Sequence, residues 1–107
     1  MVAKLAVLSF SDGRERVHQD LLPYIERVET QIINTLKELG IECIKGKEVI
    51  NSNESAVWTA EELLKNDFVK NDFDGLILNI PVFAFPNYVL IALKSIDKPV
   101  LVYSPPN

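Results

Sequence analysis

The residues of this 107-residue chain best suited to chemistry are Ser11-Asp12-Gly13-Arg14-Glu15-Arg16. They set one carboxylate, Asp12, beside two guanidinium groups, Arg14 and Arg16, around a glycine that permits a tight turn. A second cluster, Phe83 and Phe85 within Pro81-Val82-Phe83-Ala84-Phe85-Pro86, places two aromatic rings where a loop is expected. Arginine offers a planar fork of donors to hydroxyls or a carbonyl, and an aromatic ring offers a flat apolar wall to C–H groups. Opposed across a crevice, the two suit a polyhydroxylated ligand. Each cluster also has a plainer reading. Asp12-Gly13 can be a simple turn with solvated arginines, and the phenylalanines can be core residues reaching in from a loop.

Other chemistries find little material. His18 is the one histidine and Cys43 the one cysteine, so no internal disulfide and no Cys/His zinc site can form. A nucleophilic triad would have to be built on His18, and no nucleophile-elbow motif accompanies it. Cys43 falls in an expected strand as a buried, inert thiol, which suits a reducing, cytoplasmic compartment. The net charge of −4 and the scatter of basic residues among acids argue against nucleic acid. No apolar run reaches the roughly eighteen residues of a spanning helix, and the first residues lack a signal-peptide pattern, so a membrane partner is not expected. With 48% apolar and 24% charged residues the chain reads as one globular domain.

The elements that must position these residues alternate along the chain. Leu5 to Phe10 reads as a strand buried on both faces, and Ser11 to about Gln19 as a long polar loop. Val17, Leu21, Ile25, Val28, Ile32, Leu36 and Leu39 recur at helical spacing up to Gly40, with Asp20 as N-cap and Pro23 in the first turn. Ile41 to Ile44 is a short second strand. Asn51-Ser52-Asn53-Glu54 supplies cap residues for a second helix, whose apolar face is Val57, Ala60, Leu64 and Phe68 with Leu63 alongside. Trp58 either shields that helix's edge or marks a contact with another domain or subunit. Lys65-Asn66-Asp67-Phe68 returns as Lys70-Asn71-Asp72-Phe73. A five-residue shift turns a helix through roughly 140°, so the two phenylalanines cannot share a helical face and the second copy leads into the next strand. That strand is Leu76 to Ile80. A third helix, apolar almost all round, runs from Pro86 to Ile96, and Val100 to Tyr103 is the fourth strand.

This order implies a parallel sheet. The expected architecture is α/β, a three-layer flavodoxin-like (Rossmann-like) parallel sheet of four strands in the order 2-1-3-4, truncated before a fifth strand. Helix one lies on one face and helices two and three on the other. The ligand crevice opens between strands one and three, lined by Ser11 to Arg16 and Pro81 to Phe85. Without a further helix, the helix-one face of strands three and four is bare, which predicts a homo-oligomer or a piece of a larger protein.

The Ser-Asp-Gly-Arg-Glu-Arg-Val loop, the long helix after it, the Leu-Ile-Leu-Asn-Ile-Pro strand end and its aromatic loop together resemble the N-terminal domain of the L-fucose isomerase-like sugar isomerases (the L-fucose/L-arabinose isomerase family). The resemblance implies an oligomeric aldose–ketose isomerase whose manganese site lies in later domains, and whose first domain helps close a sugar pocket on a neighbouring subunit. Arg14 would then be the sugar-proximal arginine, with Arg16 beside it, and Phe83 would stand where the fucose enzymes carry a tryptophan, with Phe85 beside it. Asp12 would shape the loop and hold an arginine. No cofactor is expected in this chain, and it should not isomerise a sugar alone. Two alternatives stay open: a flavodoxin-like module holding phosphate, flavin or another small molecule, and a ligand-free assembly domain.

Overall fold

Side chains alternate between two faces along β1 (Lys4–Ser9), and that alternation lays out the molecule. The computed structural model describes residues 3–65, 73–80, 86–94, 96 and 98–103. Ala6 and Leu8, followed by Phe10, join Leu76 and Leu78 of β3 (Gly75–Asn79) in one apolar cluster. Ala56, Ala60 and Leu63 of α2 (Asn53–Lys65) and Tyr88 and Ala92 of α3 (Pro86–Leu93) close over it. On the opposite face Val7 and Ile77 pack against Leu36 of α1 (Glu15–Glu38), with Ile32, Ile33 and Cys43 around them. Burial lifts the Cys43 thiol above its ordinary range against a smaller opposing pull from Lys37. With β2 (Glu42–Lys45) and β4 (Val100–Tyr103), the four strands form an all-parallel sheet ordered β2-β1-β3-β4. The fold is therefore α/β and flavodoxin-like, with α1 alone on one face and α2 and α3 on the other.

Helix α1 starts six residues earlier than its proline suggests. The expected N-cap, Asp20, lies inside the helix, and the connection from β1 runs only from Phe10 to Arg14. The cause is local: the Asp12 carboxylate accepts the Arg14 backbone N–H at 2.8 Å, and the carbonyl of Arg14 already accepts from His18. Pro23 is consequently mid-helix. It sits on the exposed side, where water can meet the Gln19 carbonyl that its missing N–H leaves free. At the other end Gly40, at φ +79°, closes the helix: its N–H bonds to Lys37 and that of Ile41 to Leu36. This draws Ile41 into the helix cap, so β2 begins at Glu42 and not at Ile41.

Helix α2 turns a smaller face inward than expected. Ala56, Thr59, Ala60 and Leu63 are buried, while Val57 and Trp58 are exposed. Gly46 explains this, because a methyl group there would come within 2.9 Å of Thr59 Cγ2 and 3.1 Å of Leu8 Cδ2. The segment after β2 and helix α2 approach too closely for a large side chain between them. Ser52 caps α2 by accepting the Ser55 N–H at 3.0 Å, and Ser55 Oγ returns the favour to the backbone N–H groups of Asn51 and Ser52. Leu64 and Phe68 are not among the described side chains. Phe73, at the end of the second Lys-Asn-Asp-Phe copy, lies outside the helix and is buried.

Helix α3 ends at Leu93, three residues short of the expected Ile96, because the Lys94 and Ile96 N–H groups tighten into i→i+3 bonds. It is not apolar-buried all round, since Leu90 faces outward. β3 begins at Gly75, in register with Leu5, and ends at Asn79. The expectation of a bare helix-one face holds for one strand only. β3 is buried along its whole length, with Ile77 under α1, whereas all four residues of β4 are exposed. A groove of about 380 Å³ runs between them, from Val28 and Ile32 of α1 to Leu101 and Tyr103. Among the described residues no helix is long and apolar enough to cross a membrane.

Candidate functional site

At the carboxyl end of β1 the backbone passes through the buried Phe10, Ser11 and Asp12 and turns into α1. Asp12 and Arg14 come together there as a closed pair. Arg14 Nε donates to Asp12 Oδ1 at 2.9 Å and Nη2 to Oδ2 at 2.8 Å, a bidentate fork added to the backbone bond. The Asp12 carboxylate is buried, but the Arg14 side chain is 73% exposed. The side-chain and backbone hydrogen bonds from Arg14, in that order, hold the Asp12 carboxyl down at about 2, below its usual 3.8. The same pair raises Arg14. Asp12 is thus an orienting group whose lone pairs are engaged, and no proton acceptor. Arg14 keeps its Nη1 and the outer edge of Nη2 for a ligand. Arg16 is exposed and has no hydrogen-bond or ion-pair partner among the described residues. Phe83 and Phe85 lie outside the described residues, as does the Pro81 to Phe85 wall of the β1–β3 crevice.

Beneath α1, at the same end of the sheet, sits a buried polar cluster that the spacing of residues did not announce. Ser9 and Asn79 are register partners on β1 and β3, both facing α1. Ser9 Oγ donates to Glu29 Oε2 and accepts from Asn79 Nδ2 at 3.0 Å, and Asn79 Nδ2 also approaches the Ile25 carbonyl at 3.5 Å. Glu29 is 6% exposed, and its other oxygen lies 3.5 Å from Lys45 Nζ at the end of β2. The polar residues closing two otherwise apolar strands were the available signal for Ser9 and Asn79. For Glu29 it was a carboxylate within the stripe Ile25, Val28, Ile32, Leu36, where it must be buried with a partner.

The segment after β2 forms the second wall of an open cleft beside this cluster. Gly46 N–H bonds to Val7, and the chain then arches away and returns at Ile50, whose N–H bonds to Ser9 and whose carbonyl accepts from Ser11. Between this arch and α1 lies a cleft of about 420 Å³, with His18, Leu22 and Glu26 on the helix side, Glu29 among its lining, and Glu48 and Val49 opposite. His18 is 8% exposed and its Nδ1 has no partner. The described cleft therefore opens on the β2 side of β1, where no site was expected.

Among the described residues no three histidine, cysteine, aspartate or glutamate side chains converge to hold a metal. Comparison with protein-family models, with characterised proteins and with solved structures returns no match.

The Asp12 pair sets a pH dependence of fixed sign. Because its carboxyl is lowered on folding, its contribution to stability is complete above the ordinary carboxylate range and disappears as pH falls through about 2. Exposure of Arg14 keeps that contribution small. In acid unfolding followed by circular dichroism, Asp12→Asn should lose stability less steeply than the parent between about pH 4 and 2. Identical slopes would show that the pair adds nothing to the folded state.

Proposed function

We propose that this chain is the substrate-proximal and oligomerisation domain of an L-fucose isomerase-like aldose–ketose isomerase, in a cytoplasmic setting. The observation that supports it most is the guanidinium of Arg14, braced by Asp12 at the carboxyl end of β1 with its free N–H groups outward. Loops at that edge of an open parallel sheet are where ligands sit, and a braced arginine loses little conformational freedom on donating to sugar hydroxyls. The resemblance of the Ser11 to Val17 and Leu76 to Pro81 segments to that family supplies the substrate class. The family's manganese finds no ligand set in the described part of this chain, so we assign isomerisation chemistry to none of its residues. A phosphate- or flavin-holding loop fits less well, because the Asp12 carboxylate, ionised above about pH 2, would stand beside the anion.

Sugar binding is checked by titrating the protein with L-fucose and L-arabinose under nitrogen–proton correlation spectroscopy. Saturable shifts confined to Ser11 to Arg16 are expected, with Kd on the order of millimolar, and Arg14→Ala should abolish them. No shift, or shifts that survive Arg14→Ala, would contradict the reading.

The oligomerisation half of the proposal rests on β4. Val100, Leu101, Val102 and Tyr103 are all exposed, Leu101 at 63%, and the strand carries neither the charge nor the proline that usually blunts a sheet edge. The occupant we assign is a second copy paired about a two-fold axis, since a neutral strand meets no like-charge repulsion with itself. Burying several hundred Å² there contributes several kcal/mol at about 25 cal/mol per Å², against an association cost of at least about 4 kcal/mol. Sedimentation at micromolar concentration should show a dimer that Leu101→Glu converts to monomer. A monomeric parent protein would contradict the assignment.

A further inference from the structure

Pro23 divides helix α1 into two parts that are packed very differently. After the proline the helix buries Ile25, Val28, Glu29 and Leu36. In the two turns before it, Glu15 to Leu22, only His18 is buried, and Val17, Leu21 and Leu22 are half-buried. His18 gains little from its burial, because its Nδ1 has no partner there. The proline also lacks the N–H that would tie Gln19 to the next turn, and its ring crowds the Gln19 carbonyl. Opening of residues 15–19 therefore costs the backbone bonds of amides 18–22 and none beyond the proline.

A second helix start is already written into the chain. Asp20 is exposed in the closed helix, and its residue type is among the best N-caps. With Asp20 as cap, its carboxylate accepts the Leu22 N–H, and Pro23 falls at the third helical position, where an N–H has no helical partner to lose. The charge at the helix's positive end improves as well, since Arg16 leaves the first turn and Asp20 enters it. What holds the earlier start is Asp12, which accepts the Arg14 backbone N–H at 2.8 Å and grips the guanidinium through Nε and Nη2. Within the segment, the Gln19 side chain donates to Glu15 at 2.7 Å.

We infer that the two turns of α1 ahead of Pro23 are a lid that opens as a unit, with Asp20 capping the shortened helix and the Asp12 fork to Arg14 acting as the latch. Opening withdraws Glu15 and His18 from the wall of the 420 Å³ cleft that reaches Glu29, and it frees Arg14 from its brace. A ligand on the braced Arg14 selects the closed lid, so occupancy of that arginine and access to the cleft oppose each other. This last coupling rests on the proposed sugar contact, whereas the lid itself does not.

The test is residue-resolved amide hydrogen exchange of the free protein. The amides of His18 to Leu22 should share one protection factor, about 10 to 1,000, with a step of at least about a hundredfold at Pro23 to the amides of Ile25 to Leu36. Protection that rises gradually along residues 18–22, as in simple fraying, or a profile with no step would overturn the lid. Asp12→Ala should speed exchange of the five amides about five- to tenfold and leave those after Ile25 unchanged. Asp20→Gln should slow them about fivefold, against less than about twofold from helix propensity alone, while Asp20→Asn, which still caps, should not. Equal rates in the two Asp20 variants would overturn the second start. Saturating L-fucose should slow the same amides at least about fivefold, and sugar binding without that slowing would overturn the coupling. Failure of the sugar to bind at all would defeat the sugar contact and leave the step at Pro23 standing.

Discussion

The placement of helix α1 depends on the bond between Ser9 and Glu29, with Asn79 closing it from the neighbouring strand. Among the described residues the apolar cluster under α1 holds Val7, Leu36 and Ile77, with Ile25 and Val28 of the helix buried apart from it, whereas the cluster on the opposite face holds thirteen. Val7, Leu36 and Ile77 serve the sheet's middle and the helix's C-terminal half. Toward the N-terminal half, where Ile25 and Val28 are also buried, hydrogen bonds are added to the apolar packing, and they are directional. A helix held by apolar contact alone can slide or rotate at little cost, but a carboxylate bonded to a strand hydroxyl fixes both register and rotation. Glu29 therefore fixes how α1 sits on the sheet and with it which helix residues line the cleft, while Asp12 orients Arg14 at the helix start.

Much of this was legible in the chain. The continuous apolar runs Leu5 to Phe10 and Leu76 to Ile80 mark strands buried on both faces, and the order of strands and helices leads to β2-β1-β3-β4 with α1 alone on one side. The start of α1 was not legible, because Asp20 and Pro23 look like a helix start while the real one depends on Asp12 bonding two residues ahead. The inward face of α2 was hidden for a different reason. Size pattern favours Val57, but Thr59 is the residue brought against Gly46, and Ala56, Ala60 and Leu63 are buried with it. Glu29 reads as surface unless its place in an apolar stripe outweighs its charge. Asp12 and Arg14 were found by residue type, and their pairing follows from two-residue spacing across a glycine turn.

The carboxyl edge of the sheet thus carries two chemically distinct features on either side of one helix start. The loop after β1 presents a cation braced by a carboxylate. The cleft between α1 and the arch after β2 is lined by carboxylates of both, with Lys45 and Lys47 among them. Both stand on the same backbone ties, since the Ile50 N–H bonds to Ser9 and the Ser11 N–H to Ile50, joining loop and arch at the end of β1. β4, at the far edge, shares none of this polarity, and its exposed apolar strand has the character of a contact surface.

The dependence on the buried bond is most directly measured by a double-mutant cycle. Urea unfolding of Ser9→Ala, Glu29→Ala and the double variant isolates the coupling between the two side chains from their separate burial. A charge-assisted bond at a buried site predicts a coupling of about 1.5–3 kcal/mol, with the double variant barely less stable than Glu29→Ala alone. Effects that add within about 0.5 kcal/mol would contradict the account, and would mean that apolar packing alone sets α1 on the sheet.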